Sequence, residues 1–162
     1  QPTVTCIRQI PMIAWMPLII LWCGIGQLSK VVLIVMAATF PILVNTQNGI
    51  ETTPASYIEV SKLYKLGVLQ TFFRVYLPHA LPNILVGLKL GLSVSWMAVV
   101  GAELIASTAG IGYRMSMART LMQSAVLISC IVVVGLIGII MDKLIGVIFK
   151  QFTPWEKVGT GK

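Results

Sequence analysis

TLMQSAVLISCIVVVGLIGIIM, residues 120 to 141, runs its whole length without a charge and is bounded by Arg119 and Asp142. A helix needs about 20 predominantly apolar residues to cross the hydrocarbon core of a bilayer, and this stretch supplies them. Three other segments approach the same requirement. ILVGLKLGLSVSWMAVVGAELIA (84–106) tolerates Lys89 and Glu103, VVLIVMAATFPILVNT (31–46) contains Pro41, where a kink is predicted, and IPMIAWMPLIILWCGIG (10–26) is interrupted by Pro11 and Pro17. Prolines inside spans are tolerated where neighbouring helices satisfy the freed carbonyls, so the pattern predicts a packed bundle.

Composition agrees. Of 162 residues, 57% are hydrophobic and 10% charged, against about a quarter charged in an average soluble domain. The net charge of +7 comes from Lys and Arg scattered singly between apolar runs. It forms no basic stripe, which argues against nucleic acid and for loops obeying the positive-inside rule. Cys6, Cys23 and Cys130 have no paired spacing and read as small buried hydrophobes, with no metal pattern. The chain begins at Gln1, and residues 1–8 carry no signal-peptide pattern, so it reads as N-terminally incomplete.

With four spans, the start, residues 51–79 and the tail share one side. That side holds Arg8, Lys62, Lys65, Arg74, Lys143, Lys150, Lys157 and Lys162, whereas Lys30, Arg114 and Arg119 fall on the other. The imbalance places residues 51–79 in the cytoplasm.

EVSKLYKLGVLQTFFRVYLPHALP, Glu59 to Pro82, which begins inside that segment and runs just past its end, is too polar for its surroundings. Thr52 and Thr53 before Pro54 suggest an N-cap, with a helix over 55–66. Tyr57, Val60, Leu63 and Tyr64 recur at helical spacing, leaving Glu59 and Lys62 on the other face. Gly67 permits a turn, and a second short helix over 69–77 is expected to end at Pro78. An ordinary solvated loop is the plain alternative. The repeated apolar positions favour a docking element.

The spacing from Glu59 to Pro78 resembles the EAA loop of ABC importer permeases. That motif reads Glu-Ala-Ala, three residues, Gly, nine residues, Ile, one residue, Leu-Pro. Counting from Glu59 puts Val75 at the isoleucine and Leu77-Pro78 at the Leu-Pro without a gap. Val60 and Ser61 replace the alanines, Lys65 stands at the glycine position, and Gly67 is expected to supply the turn instead. LWCGIG (21–26), FPILVNTQNGI (40–50), LPNILVGLKLGLSVSWMAVVGAELIAS (81–107) and GIGYRMSMAR (110–119) resemble the sulfonate, taurine and nitrate branch. The run Ala-Glu-Leu-Ile, Gly-Ile-Gly-Tyr and Ala-Arg looks most like the aliphatic sulfonate permeases.

The resemblance implies an all-α, polytopic, MetI-like type I importer permease in the bacterial cytoplasmic membrane, a single domain over 1–162. It implies a separate ATPase subunit that binds the ATP, a periplasmic or extracellular solute-binding protein, a permease homodimer, and no cofactor or catalysis on this chain. Tyr57, Glu59, Val60, Ser61, Leu63, Tyr64, Lys65, Gly67, Phe72, Val75, Leu77 and Pro78 would couple to the ATPase. The cargo would be a small organic anion, an alkanesulfonate, with taurine or nitrate as alternatives. An ion-coupled secondary transporter is the rival class. It calls for paired intramembrane charges, and Glu103 has no partner legible in the sequence.

Ser93, Ser95 and Trp96 lie mid-span, where they either line a pathway or bond between helices. Glu103 either contacts substrate or bonds helix ends near Gly110-Ile111-Gly112. Arg114 and Arg119 either draw in an anion, meet a docking protein, or anchor a helix at the interface. Lys89 is expected to snorkel toward the cytoplasmic interface. Gly87 to Gly91 matches GxxxG, a spacing that permits close helix packing. The closing GTGK (159–162) lacks the strand and helix of a phosphate-binding loop, and His79 has no partners for metal binding or acid–base work.

Overall fold

The computed structural model describes residues 11–152, all in helices and short connections. Cys6, Arg8, Ile10, Lys157, Lys162 and the GTGK ending lie outside the described residues.

Helix α1, Met16–Cys23, follows a 3-10 turn at Met12–Trp15 and has Pro17 in its first turn, where a proline costs no hydrogen bond. It stops at Gly24, whose φ of 74° is left-handed. Eight residues of helix span only about 12 Å. The span expected over 10–26 is therefore not one continuous helix, because Pro11, Pro17 and Gly24 divide it.

Helix α2, Gln27–Glu51, overruns the expected 31–46 at both ends and passes through Pro41 without stopping. The Asn45 side-chain amide donates to the Pro41 carbonyl at 2.8 Å. Helix α3, Ala55–Leu63, is followed by α4, Val68–Thr71, a wider π-helical turn, Phe72–Tyr76, and α5, Leu77–Ala106. From Val68 to Ala106 the helix is uninterrupted, 39 residues in all. Helix α6, Ile111–Thr120, and helix α7, Ser124–Phe152, complete the described chain. By length and composition three helices can cross a membrane: Gln27–Glu51, Val68–Ala106, and Ser124–Phe149 within α7. The fourth expected span thus starts later than 120, since Thr120 closes α6, and runs beyond 141.

The bundle is organised on the antiparallel pair α2 and α5. Gly87 and Gly91 face α2 so closely that a Cβ on Gly87 would come within 2.9 Å of the Asn45 Cβ, and one on Gly91 within 3.2 Å of the Ala38 carbonyl. Small residues at this spacing let the backbones approach, which lipid-immersed helices need because dispersion replaces the hydrophobic drive. Further along, Ser95 Oγ donates to the Ile34 carbonyl at 3.2 Å. Beyond it, Met16 and Ile19 of α1 pack with Leu33, Ala37, Ala98 and Ala102. Helix α7 leans on α5 and α6 with no residue of its apolar window buried.

The helix order puts the α3–α4 knuckle and the last turns of α7 at one end of the bundle. Lys30, Glu103 and α6 occupy the other. Cys23 and Cys130 carry free thiols and are half-buried rather than buried.

Candidate functional site

The knuckle is shaped by backbone chemistry at its turn. Lys65 has φ 51°, left-handed, and closes α3 with two bonds: its own N–H donates to the Lys62 carbonyl (3.0 Å) and the Leu66 N–H to the Ser61 carbonyl (3.1 Å). This is a Schellman C-terminus, whose left-handed position favours glycine. The turn therefore lies at Lys65. Gly67 does not supply it: its φ is −66°, and it caps α4, with its N–H donating to Gln70 Oε1 at 3.4 Å. Helix α3 ends at Leu63, short of 66, for the same reason.

Two further expectations change. Thr52 is the C-cap of the preceding helix, its hydroxyl donating to the Asn48 carbonyl at 2.8 Å, and the residue at the N-cap of α3 is Pro54. Thr53 Oγ1 is buried without a partner. Pro78 does not end a second short helix. The Leu77 N–H reaches five residues back to the Phe72 carbonyl, and this wider turn relieves the crowding that a proline ring causes against the carbonyl four residues before it. Pro78 then sits in the first turn of α5.

Tyr57, Val60, Ser61 and Tyr64 line one wall of a cleft of about 490 Å³, with Arg74, Val75, Pro78 and His79 opposite. The Tyr57 and His79 rings meet edge-on at 6.4 Å. Ser61 is buried, its hydroxyl donating to the Ile58 carbonyl at 2.7 Å. Leu63 is not on this wall; it faces outward at 80% exposure, beside Tyr64 at 77%. Val68, Leu69, Phe72 and Phe73 are also exposed, the two phenylalanines stacked edge-to-face at 5.3 Å. Glu59, Lys62, Lys65, Gly67 and Arg74 are exposed as well, while Val75 and Leu77 are half-buried. A surface this apolar, with charges interspersed, has the composition of a protein contact.

The remaining candidates do not converge on one point. Glu103 is paired after all: its Oε1 accepts from Lys30 Nζ at 3.2 Å and its Oε2 from the Gly112 N–H at 3.1 Å. Lys89 is paired as well: its Nζ is 3.1 Å from Asp142 Oδ1 on α7. The absence of charge pairs therefore no longer counts against a secondary transporter. Ser95 is turned into the α2–α5 contact, whereas Ser93 is exposed and Trp96 lies against Gly138 of α7. Arg114 borders a cavity of about 500 Å³ between α6 and α7, next to Ile111, Ser129 and Cys130. Arg119 is exposed in the last turn of α6. Among the described residues, no three His, Cys, Asp or Glu side chains gather as a metal site would require.

Residues 1–154 match the family described as binding-protein-dependent transport system inner membrane component. A permease of Bacillus subtilis named for aliphatic sulfonates transport is 35% identical, over 96% of this chain and 56% of its own length. The taurine transport system permease protein of Escherichia coli is 32% identical, over 96% and 57%. A nitrate import permease protein of Leptolyngbya laminosa is also 32% identical, over 97% and 56%. The chain thus spans a little over half the length of these relatives.

Proposed function

Because the chain belongs to the family of binding-protein-dependent transport inner membrane components, we propose that it works as the membrane-spanning permease subunit of an ATP-driven ABC importer. It is a multi-pass component of the bacterial cytoplasmic membrane. In this reading the knuckle over 51–79 faces the cytoplasm and docks on a separate ATPase subunit, which carries the ATP. A soluble binding protein delivers cargo from outside, and two permease copies enclose the passage.

One observation supports this reading above the others: the exposed apolar knuckle is helically continuous with a span. Phe72 and Val75 belong to the same unbroken helix as Glu103, so a displacement at the knuckle is carried along α5 rather than absorbed in a hinge. Tyr64, Leu63 and Phe72 offer the aromatic and apolar anchors on which contact energy concentrates.

The cargo we propose is a small organic anion, an alkanesulfonate. The relative named for aliphatic sulfonates is marginally more similar than those named for taurine and nitrate, and this margin is the reason to test all three. A host deleted for the gene is grown on sulfate, taurine or an alkanesulfonate as sole sulfur source, and on nitrate as sole nitrogen source. Failure on the alkanesulfonate alone, restored by the intact gene and not by Glu59→Lys, supports both cargo and coupling. Growth on every source, in a host without a redundant importer, removes the sulfonate assignment.

A further inference from the structure

Helix α5 has two unlike faces. Gly87, Gly91, Ser95, Ala98 and Ala102, spaced at helical repeats, are buried, the first three against α2. Lys89, Ser93 and Trp96, also at helical repeats, lie on another face, and with Asp142 and Gly138 of α7 they bound a narrow cavity of about 100 Å³. Lys89 and Asp142 both lie within helices long and apolar enough to cross a membrane, Val68–Ala106 and Ser124–Phe149. Their side chains are nevertheless 41% and 47% exposed.

An ion pair half open to lipid is costly, and intramembrane charges face a bundle interior or a water-filled cavity instead. The Trp96 indole on the same stripe has the same need for polar surroundings, and the Ser93 hydroxyl, which donates to the Lys89 carbonyl at 3.1 Å, keeps its lone pairs free to accept. An ammonium is a compact point charge with three donors, suited to an anionic oxygen but not tied to one geometry. A carboxylate 3.1 Å away holds that charge in place when no other anion is present. We propose that this stripe lines the passage, that Lys89 is the residue that binds the anionic head of the cargo within it, and that Asp142 is the counter-ion the cargo displaces. The inference rests on the reading of the chain as an anion-importing permease and assigns that reading its binding residue.

The test uses the whole transporter, permease with ATPase and binding protein, in proteoliposomes, with labelled butane-1-sulfonate, taurine and nitrate as probes. Lys89→Gln is expected to raise the half-saturating concentration about tenfold, the loss of one charge-assisted contact, while Lys89→Arg stays near wild type. Asp142→Asn is expected to lower that concentration, because the competing carboxylate is gone. A purely structural ion pair predicts the opposite for Asp142→Asn, a loss equal to that of Lys89→Gln, and rescue by the charge swap Lys89→Asp with Asp142→Lys; that pattern overturns the proposal. Wild-type vesicles that take up none of the three anions would instead defeat the underlying importer reading. Wild-type uptake with an unchanged half-saturation in Lys89→Gln would defeat Lys89 alone. If Lys89→Gln does not assemble, Ser93→Cys in a permease with Cys6, Cys23 and Cys130 changed to Ser decides. A membrane-impermeant thiol reagent should label it in at least one nucleotide state, and failure to label in every state rules out a water-lined stripe.

Discussion

Lys30 and Glu103 join the first turn of α2 to the last turn of α5 through a 3.2 Å ion pair whose side chains are each only 15% exposed. The other carboxylate oxygen holds the Gly112 N–H, so one side chain ties α2, α5 and α6 together. Removing the carboxylate leaves both an uncompensated ammonium and an unpaired amide. Glu103→Ala is expected to destabilise the permease by about 3 kcal/mol, within the range for breaking a buried pair. Glu103→Gln, which keeps an acceptor for Gly112, should cost less. Thermal melts of the detergent-purified protein measure both. Adding Lys30→Met to Glu103→Ala should recover part of the loss, and fully additive losses would show that the pair carries no coupling.

At Lys65 a side chain occupies a backbone conformation that suits glycine. A non-glycine residue in the left-handed region costs roughly 1–2 kcal/mol, part of which glycine gives back as extra freedom in the unfolded chain. Lys65→Gly should therefore tighten the knuckle by about 0.5–1 kcal/mol, and Lys65→Val, β-branched, should loosen it. Hydrogen–deuterium exchange at the Leu66 amide, bonded to the Ser61 carbonyl, is the readout. It slows in the glycine variant and quickens in the valine variant if the turn is as described.

The apolar runs around residues 31–46, 84–106 and 120–141 were legible because a bilayer demands long uncharged segments, and that demand is written locally in sequence. Helix ends were not, since nothing in a hydropathy pattern tells where an apolar helix continues into polar residues, as α2 does to Glu51. Pro78 misled for a different reason. The terminator reading of proline assumes α-helical spacing, and the π-helical turn at Phe72–Tyr76 removes that assumption. The bond from Glu103 to Gly112, nine positions away, was legible; Lys30, 73 positions from Glu103, and Asp142, the partner of Lys89, were not, because each lies on a helix distant in the chain. The Glu59-to-Pro78 spacing was readable, but the turn within it was not: the nearby glycine drew the expectation to Gly67, whereas the chain turns at Lys65. The left-handed backbone at Lys65 is the physical reason a glycine belongs there.

Gly87 and Gly91 make a graded test of the α2–α5 contact. A Cβ at Gly87 would press on the Asn45 Cβ at 2.9 Å, whereas one at Gly91 would meet the Ala38 carbonyl at 3.2 Å and the Ile42 side chain at 3.3 Å. Gly87→Val should cost about 2–3 kcal/mol, the scale of overpacking a tight contact. Gly91→Ala should cost less than half as much. Melting temperatures and the monodispersity of the purified protein would report the order, and a reversed order would mean that the helices are registered differently.

The outward face of the knuckle yields the prediction that bears most directly on coupling. Leu63 and Tyr64 project at 80% and 77% exposure, and nothing in their own chain rewards that exposure. Tyrosine is among the side chains that dominate contact energy when a partner desolvates it, at 2 kcal/mol or more per hot spot. Tyr64→Ala should accordingly weaken binding of the ATPase subunit by about 30-fold, the affinity equivalent of that energy. Uptake should fall in parallel, while the melting temperature stays near wild type because an exposed ring contributes little packing. Leu28→Ala, a change at another exposed apolar side chain at the other end of the bundle, should leave ATPase binding untouched. Titrating detergent-solubilised permease with labelled ATPase subunit separates the cases. A wild-type affinity for Tyr64→Ala would show that the partner reads the rest of the cleft wall, Tyr57 and Val60, or the Phe72–Phe73 pair, and not the tip of α3.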